Sequence, residues 1–273
     1  MYKLVAIDLD GTLLNSDKEI SSRNAKAISL AIEKGVKIVI CSGRVYSGAR
    51  LYAKQVGAVD PIIACNGAII SESIDGKVIY SNNLSTEACL KIIDICHKNN
   101  IYYHVYAEDT MLTEKLGFTS LKYFEKNKTL PIKDRVKIEV VGDMVTKIKS
   151  LQGKVLKLVI VNDDLELLKR TRNEMEQIAS VDVMSSNYDN FEVVNKGVNK
   201  GVALKKLSVL LDIPPEEMIA IGDNENDISM LDYAGLGIAM ENGEDCAKDA
   251  AQYITASNDE SGVAQAIEKF VLG

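Results

Sequence analysis

One short stretch decides how this sequence is interpreted, Leu4-Val5-Ala6-Ile7-Asp8-Leu9-Asp10-Gly11-Thr12. Its first four residues are apolar, which is typical of a buried strand in a parallel sheet. Asp8 and Asp10 follow at once, and ligands of open α/β sheets collect at the carboxyl ends of such strands. Asp and Gly after a strand also form plain turns. The stretch therefore predicts a catalytic loop, with a simple turn as the alternative.

Helix and strand patterns alternate outward from that stretch. Ser22 to Lys34 has the apolar spacing of a helix that ends at Gly35, and Val36 to Ile40 has the composition of a second strand. This order of strand, helix and strand is typical of a parallel pair. Further strands are expected at Ile62 to Ala64 and at Met218 to Ile221. The sequence thus predicts an α/β protein with a parallel sheet.

The middle of the chain has a different pattern. Alternating or β-branched segments are separated there by helix patterns at Thr86 to Lys98 and Leu165 to Ile178. Exposed loops tolerate the insertion of whole domains. We therefore predict a core formed by residues 1–82 and 189–273, with a second α/β domain, residues 83–188, inserted between its two halves.

Composition excludes several classes of protein. The chain has 273 residues, 47% hydrophobic and 26% charged, with a net charge of −7. An acidic balance argues against nucleic acid and anionic membranes as partners, and no apolar run reaches the ~20 residues of a membrane span. The five cysteines are scattered without a C-x-x-C spacing, which indicates reduced thiols and predicts a cytoplasmic protein.

A second pair of acids follows the late strand, in Gly222-Asp223-Asn224-Glu225-Asn226-Asp227. If that strand lies beside the first, four carboxylates meet at one edge of the sheet, and their repulsion requires protons or a cation. Oxygen ligands without His or Cys suit a hard cation, so we expect Mg²⁺. The alternative is that Asp223 and Asp227 only cap the helix that follows.

Two further segments offer groups for an anion. Ser42 and Gly43 follow the second strand and provide a hydroxyl and backbone N–H groups. Lys200 opens a predicted helix, where a cation is unfavourable unless an anionic partner compensates. A solvated surface lysine is the alternative, and Lys196 is a rival cation placed less well before the helix.

Together these segments resemble the four motifs of the haloacid dehalogenase superfamily, in the right order over nearly the whole chain. The matching residues are Asp8 to Thr12, Ser42, Lys200 and Gly222 to Asp227. Segments such as Ile63 to Ala68 and Gly237 to Asn242 resemble its Cof-type branch, class IIB. One departure is Asn195, where that branch often has proline. The resemblance implies a Rossmann-like three-layer core and an inserted α/β cap domain that governs specificity.

The resemblance also implies roles for the acids. Asp8 would be the nucleophile that forms an aspartyl-phosphate, and Asp10 the general acid and base. Mg²⁺ would be held by the Asp8 side chain, the Asp10 backbone carbonyl and Asp223, with Asp227 as a ligand or in the second shell.

Four other residues would hold the phosphoryl oxygens, according to the same resemblance. They are Ser42, Gly43, Lys200 and Asn226. A local cationic pocket of this kind explains how an acidic protein can bind an anion, since distant charges are screened.

The implied function is a Mg²⁺-dependent phosphatase of small phosphorylated metabolites. Sugar phosphates are the foremost candidates, with flavin mononucleotide or pyridoxal phosphate as further ones. A phosphohexomutase of the same superfamily is one alternative, and a non-catalytic phospho-aspartate switch or binding protein is another. Neither the physiological substrate nor the oligomeric state follows from the sequence.

Overall fold

The computed structural model describes all of residues 1–273. Its strands, in chain order, are β1 Leu4–Ile7, β2 Lys37–Ile40, β3 Ile62–Ala64, β4 Ile69–Ser71, β5 Val78–Ser81, β6 Tyr102–Ala107, β7 Thr110–Thr113, β8 Lys137–Val140, β9 Val155–Val161, β10 Val181–Met184, β11 Asn190–Asn195, β12 Met218–Gly222, β13 Leu236–Met240 and β14 Tyr253–Thr255.

The α-helices are α1 Ser22–Glu33, α2 Tyr46–Gln55, α3 Thr86–Lys98, α4 Phe118–Asn127, α5 Met144–Ser150, α6 Leu165–Glu176, α7 Lys200–Leu211, α8 Ile228–Tyr233, α9 Asp245–Ala250 and α10 Gly262–Ile267. Short 3₁₀ turns lie at Cys65–Gly67, Ile132–Asp134, Pro215–Glu217 and Glu225–Asp227, and a π turn at Glu268–Leu272. No helix among them has both the length and the hydropathy that a membrane-spanning segment requires.

The chain divides into two compact units. The first consists of Met1–Tyr80 and Asn199–Gly273, and the second of Ser81–Val198. The sequence placed the return to the core at residue 189, ten residues earlier than the structure does. The reason is β11, which pairs with both β9 and β10 and so completes the sheet of the second unit.

The first unit has a five-stranded sheet in the order β14-β13-β12-β1-β2. Every pairing in it is parallel, as expected for short apolar strands linked by helices. The register sets Ile7, at the end of β1, beside Ile40 of β2 and Ile221 of β12. The loops that follow these three strands therefore leave the sheet at the same edge.

Helices cover both faces of this sheet. Leu4 and Ala6 face a cluster that includes Leu204 of α7 and residues of α8 and α9. Because side chains alternate along a strand, Val5 and Ile7 point to the opposite face, and they too are fully buried. There α1 and α10 contact each other and the strands. The arrangement is the Rossmann-like three-layer core that the family resemblance implied.

The second unit has a six-stranded sheet in the order β10-β11-β9-β6-β7-β8. All pairings except that of β7 with β8 are antiparallel. Tyr103 and Val105 of β6 pack in a core with residues of α3, α5 and α6. Tyr102, His104 and Tyr106 alternate with them and are also buried, so β6 is packed on both faces.

Candidate active site

The loop after β1 carries the acids that opened the sequence. Asp8 is almost completely buried, and its backbone N–H donates to Ile221 O at 3.0 Å. Leu13 N–H donates back to Asp8 O at 3.2 Å, which closes the loop into a turn. The stretch is thus a turn, but one that presents a buried carboxylate at the edge where the strands end.

Lys200 joins the two pairs of acids. It opens α7 after the cap residue Asn199, whose side chain accepts from Val202 N. Its Nζ donates to Asp8 Oδ1 and to Asp227 Oδ1, both at 2.6 Å. Because Lys200 is fully buried, it is not the solvated surface lysine that was the alternative. A buried cation held by two carboxylates is the central feature of the site.

Asp223 lies against the first loop. Thr12 Oγ1 donates to Asp223 Oδ1 at 2.6 Å, which links the turn after β1 to the turn after β12. Gly11 makes this approach possible, since a Cβ at that position would lie 2.3 Å from Asp223 Oδ2. Its φ of +85° is also a conformation that favours glycine. The glycine after the acids is therefore required by the site itself.

Asp227 shapes the second loop and contacts the cation at the same time. Its Oδ2 accepts from the backbone N–H groups of Asp223 at 2.9 Å and Asn224 at 3.1 Å. Its Oδ1 accepts from Lys200. The capping role that the sequence left as an alternative is real, but the same carboxylate also belongs to the buried cluster. Its Oδ1 accepts only one hydrogen bond and so keeps a lone pair, which leaves Asp227 able either to bind a metal or to orient its neighbours.

Asp10 has a different environment from Asp8. Arg44 Nε donates to its Oδ2 and Arg44 Nη2 to its Oδ1, both at 2.7 Å. Lys18 Nζ lies 3.3 Å from Oδ1. The Asp10 side chain retains 41% of its exposure, so it lies at the mouth of the cluster rather than within it.

The residues predicted to hold phosphate surround the same edge. Ser42 is buried and its Oγ accepts from Arg44 N at 3.2 Å. Gly43 follows it, before α2 begins at Tyr46. Asn226 is buried, and its Nδ2 donates to Asn66 Oδ1 at 3.2 Å. All eight predicted site residues belong to the first unit.

Burial and charge shift the pKa values of these groups in opposite directions. Burial, reinforced by Asp227 and opposed by Lys200, raises the pKa of Asp8 to about 7. Burial together with Asp8 and Asp227 raises the pKa of Asp223 well above its ordinary value. At Asp10 burial acts upward, but Arg44 and Lys18 outweigh it and lower the pKa. The pKa of Lys200 rises despite its burial because Asp227 and Asp8 hold its charge.

The carboxylates fit a divalent cation. Oxygens of Asp8, Asp223 and Asp227 all lie within 4.8 Å of one another, and hard cations bind such oxygen-only sets. Three buried carboxylates surround the single cation of Lys200, so a divalent ion would balance the remaining negative charge. The Asp10 carbonyl, which accepts none of the backbone hydrogen bonds of its turn, is a further oxygen at this edge.

Some residues of the site were not singled out from the sequence. Thr12 and Asn66 lie within the predicted motifs without a predicted role, and Arg44 follows Ser42 and Gly43 directly. For Asn66 the sequence offers one usable signal, the Asn-Gly pair at a strand end. In the structure its φ is +57°, in a turn whose three residues all have positive φ. Arg44 had another, a cation two residues beyond Ser42 opposite an acidic loop.

Lys196, the rival cation, lies elsewhere. Its Nζ pairs with Asp182 in the second unit, and it takes no part in the cluster. Among the five free cysteines only Cys246 is exposed. Cys41 is buried beside the cluster, and burial raises the pKa of its thiol.

Comparison with known proteins agrees with this geometry. Residues 5–267 match the family model of the haloacid dehalogenase-like hydrolases. The chain is 33% identical over 292 residues to YwtE of Bacillus subtilis (strain 168), a 5-amino-6-(5-phospho-D-ribitylamino)uracil phosphatase, with 99% of each chain covered. It is 27% identical over 265 residues to the pyridoxal phosphate phosphatase YbhA of Escherichia coli (strain K12), with 97% of each covered.

A solved structure shows the same fold. The crystal structure of a haloacid dehalogenase-like hydrolase from Bacteroides thetaiotaomicron superposes with a TM-score of 0.83 at 33% identity, covering 98% of this chain and 99% of that one. The family match spans almost the whole chain and includes all the residues of the carboxylate cluster. The chain therefore belongs to the haloacid dehalogenase-like hydrolase family, as an enzyme of the phosphomonoester hydrolase type.

Proposed function

We propose that this protein is a Mg²⁺-dependent phosphatase that hydrolyses phosphate monoesters of small metabolites through an aspartyl-phosphate. The observation that carries the proposal is the buried cluster in which Lys200 Nζ lies 2.6 Å from both Asp8 and Asp227. Such a cluster concentrates cationic hydrogen-bond donors and a nucleophilic carboxylate at one point. When bound, Mg²⁺ supplies charge that stabilises the phosphoryl oxygens in the transition state.

Asp8 attacks the phosphorus atom in this proposal. Its Oδ1 is fixed by Lys200, which leaves the second oxygen for the attack or for the metal. The bond from phosphorus to the leaving oxygen breaks as the new bond to Asp8 forms. Lys200 helps to keep Asp8 ionised, because its charge opposes the effect of burial on the pKa of Asp8.

Asp10 exchanges protons with the reacting oxygens. It donates a proton to the leaving alcohol in the first half of the reaction. It then accepts one from the water that attacks the aspartyl-phosphate. Its place at the mouth of the cluster, with 41% of the side chain exposed, suits a group that must contact both an alcohol and water.

Phosphoryl oxygens are held by the remaining predicted residues. Ser42 and the Gly43 N–H follow β2 at the same edge, and Asn226 is oriented there by Asn66. Asp227 fixes the backbone of the turn that carries Asp223. The fold positions each of these groups before a ligand binds. They can therefore stabilise the transition state without first rearranging.

The proposed substrate class is sugar phosphates and related phosphorylated metabolites. One relative is named for a substrate that carries its phosphate on a ribityl chain, and another for pyridoxal phosphate. Both are primary phosphate esters of compact metabolites. A panel with these two compounds, sugar phosphates and flavin mononucleotide ranks the candidates by kcat/KM.

Hydrolysis of p-nitrophenyl phosphate in the presence of Mg²⁺ tests the reaction itself. We expect the native chain to release inorganic phosphate and Asp8→Asn to have no measurable turnover. Asp249→Asn, an exposed acid of α9, is the matched control and should retain full activity. Turnover that survives in Asp8→Asn would refute the nucleophile assignment.

A further inference from the structure

Arg44 has no assigned role, yet it makes the most specific contact to a proposed catalytic group. Its Nε and Nη2 donate separately to the two oxygens of Asp10, at 2.7 Å each. This is the bidentate, side-on geometry in which a planar guanidinium fixes both the position and the plane of a carboxylate. A lysine could supply the charge but not the plane.

Arg44 is itself held in place. Its backbone N–H donates to Ser42 Oγ at 3.2 Å, and its carbonyl accepts from Cys65 N at 2.9 Å. Its guanidinium carbon lies 4.9 Å from the centre of the buried Tyr52 ring, a distance at which a cation is attracted by the ring face. Only 14% of the Arg44 side chain is exposed. The clamp on Asp10 is therefore anchored to the loop after β2, to the turn after β3 and to α2.

Asp10 has little else to orient it. Its side chain is 41% exposed, and its other partner is Lys18 Nζ at 3.3 Å, on a lysine whose side chain is 56% exposed. Exposed ion pairs of this kind contribute little to order. Without Arg44 the carboxyl group would rotate between solvent and the site.

The pattern of contacts also distinguishes the two oxygens. Oδ1 accepts from both Arg44 and Lys18, whereas Oδ2 accepts from Arg44 Nε. A carboxylate oxygen has about two lone-pair sites, so Oδ2 keeps one for a proton or an incoming hydroxyl group.

We infer that Arg44 is the positioning residue of Asp10, holding its carboxyl group so that Oδ2 faces the leaving oxygen. The inference rests on the proposed function, in which Asp10 gives its proton to the leaving oxygen as the bond from phosphorus to that oxygen breaks. In the second half a water oxygen bonds to phosphorus, the bond to Asp8 breaks, and the water proton goes to Asp10. Arg44 serves both transfers without itself exchanging a proton.

Aryl phosphates with different leaving groups test this inference. p-Nitrophenolate leaves without a proton, whereas phenolate is a much poorer leaving group and depends on the acid. Phenyl phosphate and p-nitrophenyl phosphate have nearly the same shape. Since kcat/KM reports only the steps up to release of the first product, comparing the two esters isolates the acid function of Asp10.

In Arg44→Met we expect kcat/KM for phenyl phosphate to fall by ~10²-fold, the lower end of what proton transfer contributes. The value for p-nitrophenyl phosphate should change by no more than a few-fold. Because the second half still needs Asp10 as a base, this variant should also show a burst of p-nitrophenolate before a slow steady state. Arg44→Lys, which keeps the charge but not the plane, should resemble Arg44→Met.

Arg50→Met is the matched control, since Arg50 lies on α2, six residues beyond Arg44, and likewise contacts an aromatic ring, that of Tyr46 at 5.9 Å. It should leave the ratio of the two kcat/KM values unchanged. In Arg44→Ala, guanidinium ions at concentrations well below those that unfold proteins should restore phenyl phosphate turnover selectively.

Two results would overturn the inference. An equal fall for both esters would mean that Arg44 binds the phosphoryl group instead, and no fall for either would mean that the clamp has no role in the reaction. If the native chain hydrolysed neither ester, the phosphatase proposal itself would fail, which is a separate outcome.

Discussion

Asp8 should destabilise the metal-free protein at neutral pH, and replacing it should therefore stabilise the fold while abolishing activity. Burial raises its pKa from 3.8 to about 7, so the folded protein holds a proton that the unfolded chain releases. Between these two values the folded state binds more protons than the unfolded state. Its free energy of unfolding consequently falls as the pH rises through that window.

The size of the effect follows from the shift. About three pKa units at 1.36 kcal/mol each give about 4 kcal/mol near pH 8. Near pH 5 the same relation leaves about 2 kcal/mol, and the penalty vanishes at lower pH. The Asp8 side chain is only 7% exposed, so solvent does not screen this interaction. Asp8→Asn removes the ionisation and keeps an oxygen that can accept from Lys200.

Urea unfolding in the presence of a chelator measures the difference. Asp8→Asn should be more stable than the native chain by up to about 4 kcal/mol near pH 8, and by about half of this near pH 5. Asp249→Asn, on the surface, should show no such pH-dependent gain. A metal-free Asp8→Asn protein that is no more stable than the native chain near pH 8 would refute the reasoning.

Adding Mg²⁺ should reduce or reverse the difference in free energy of unfolding between Asp8→Asn and the native chain. A ligand that binds only the folded state adds about 2.7 kcal/mol at a hundred times its Kd, and the native chain should gain more than Asp8→Asn because it retains the full set of carboxylates. Metal binding should also release protons below about pH 7, since Asp8 must ionise. Calorimetry in buffers with different ionisation enthalpies detects that release, and equal Mg²⁺ gains in the two chains would argue against Asp8 as a ligand.

Three other changes have defined outcomes. Lys200→Met should abolish turnover and lower the free energy of unfolding near pH 8, measured with urea, by about 3–5 kcal/mol, because two buried carboxylates lose their cation; an active Lys200→Met enzyme would contradict its place in the site. Gly11→Ala should abolish activity because its Cβ would overlap a carboxylate oxygen, whereas Gly35→Ala, with a similar φ but open space, should cost only about 1 kcal/mol and keep full kcat/KM. In the second unit Lys157→Met should lower the free energy of unfolding by about 3–5 kcal/mol, because the buried Glu192 loses the cation it pairs with. Adding Glu192→Leu should recover most of this loss in thermal melts. No recovery would mean that packing rather than charge dominates.

The sequence predicted the core well because its strands can be recognised from short local patterns. β1 and β12 are short apolar runs that end in glycine or acids, and the expected strand at Ile62 to Ala64 matches β3 residue for residue. Helices were also predicted well, since the expected helix at Thr86 to Lys98 matches α3 residue for residue and Leu165 is the first residue of α6. Each of these features is determined by a short stretch of neighbouring residues, so it can be predicted without knowing the fold.

Features that depend on pairing were harder to predict. The return to the core was placed too early because nothing in Asn190–Asn195 reveals that this strand lies between β9 and β10. In the site, the sequence predicted that the acids after the first and the late strand meet if those strands are neighbours, and β1 and β12 do pair. The clamp from Arg44 to Asp10 joins residues 34 positions apart, and side-chain direction at that distance is set by packing that a motif does not encode.

The position of β1 in the sheet has a consequence for synthesis of the chain. It lies between β2 and β12, so one of its two neighbours is more than two hundred residues away. During translation Asp8 leaves the ribosome well before its partners, since Lys200 lies 192 residues further along the chain and Asp227 follows Lys200. Long-range contacts of this kind form late and slowly. The carboxylate cluster of the nascent protein should thus assemble only after the second unit has been synthesised in full.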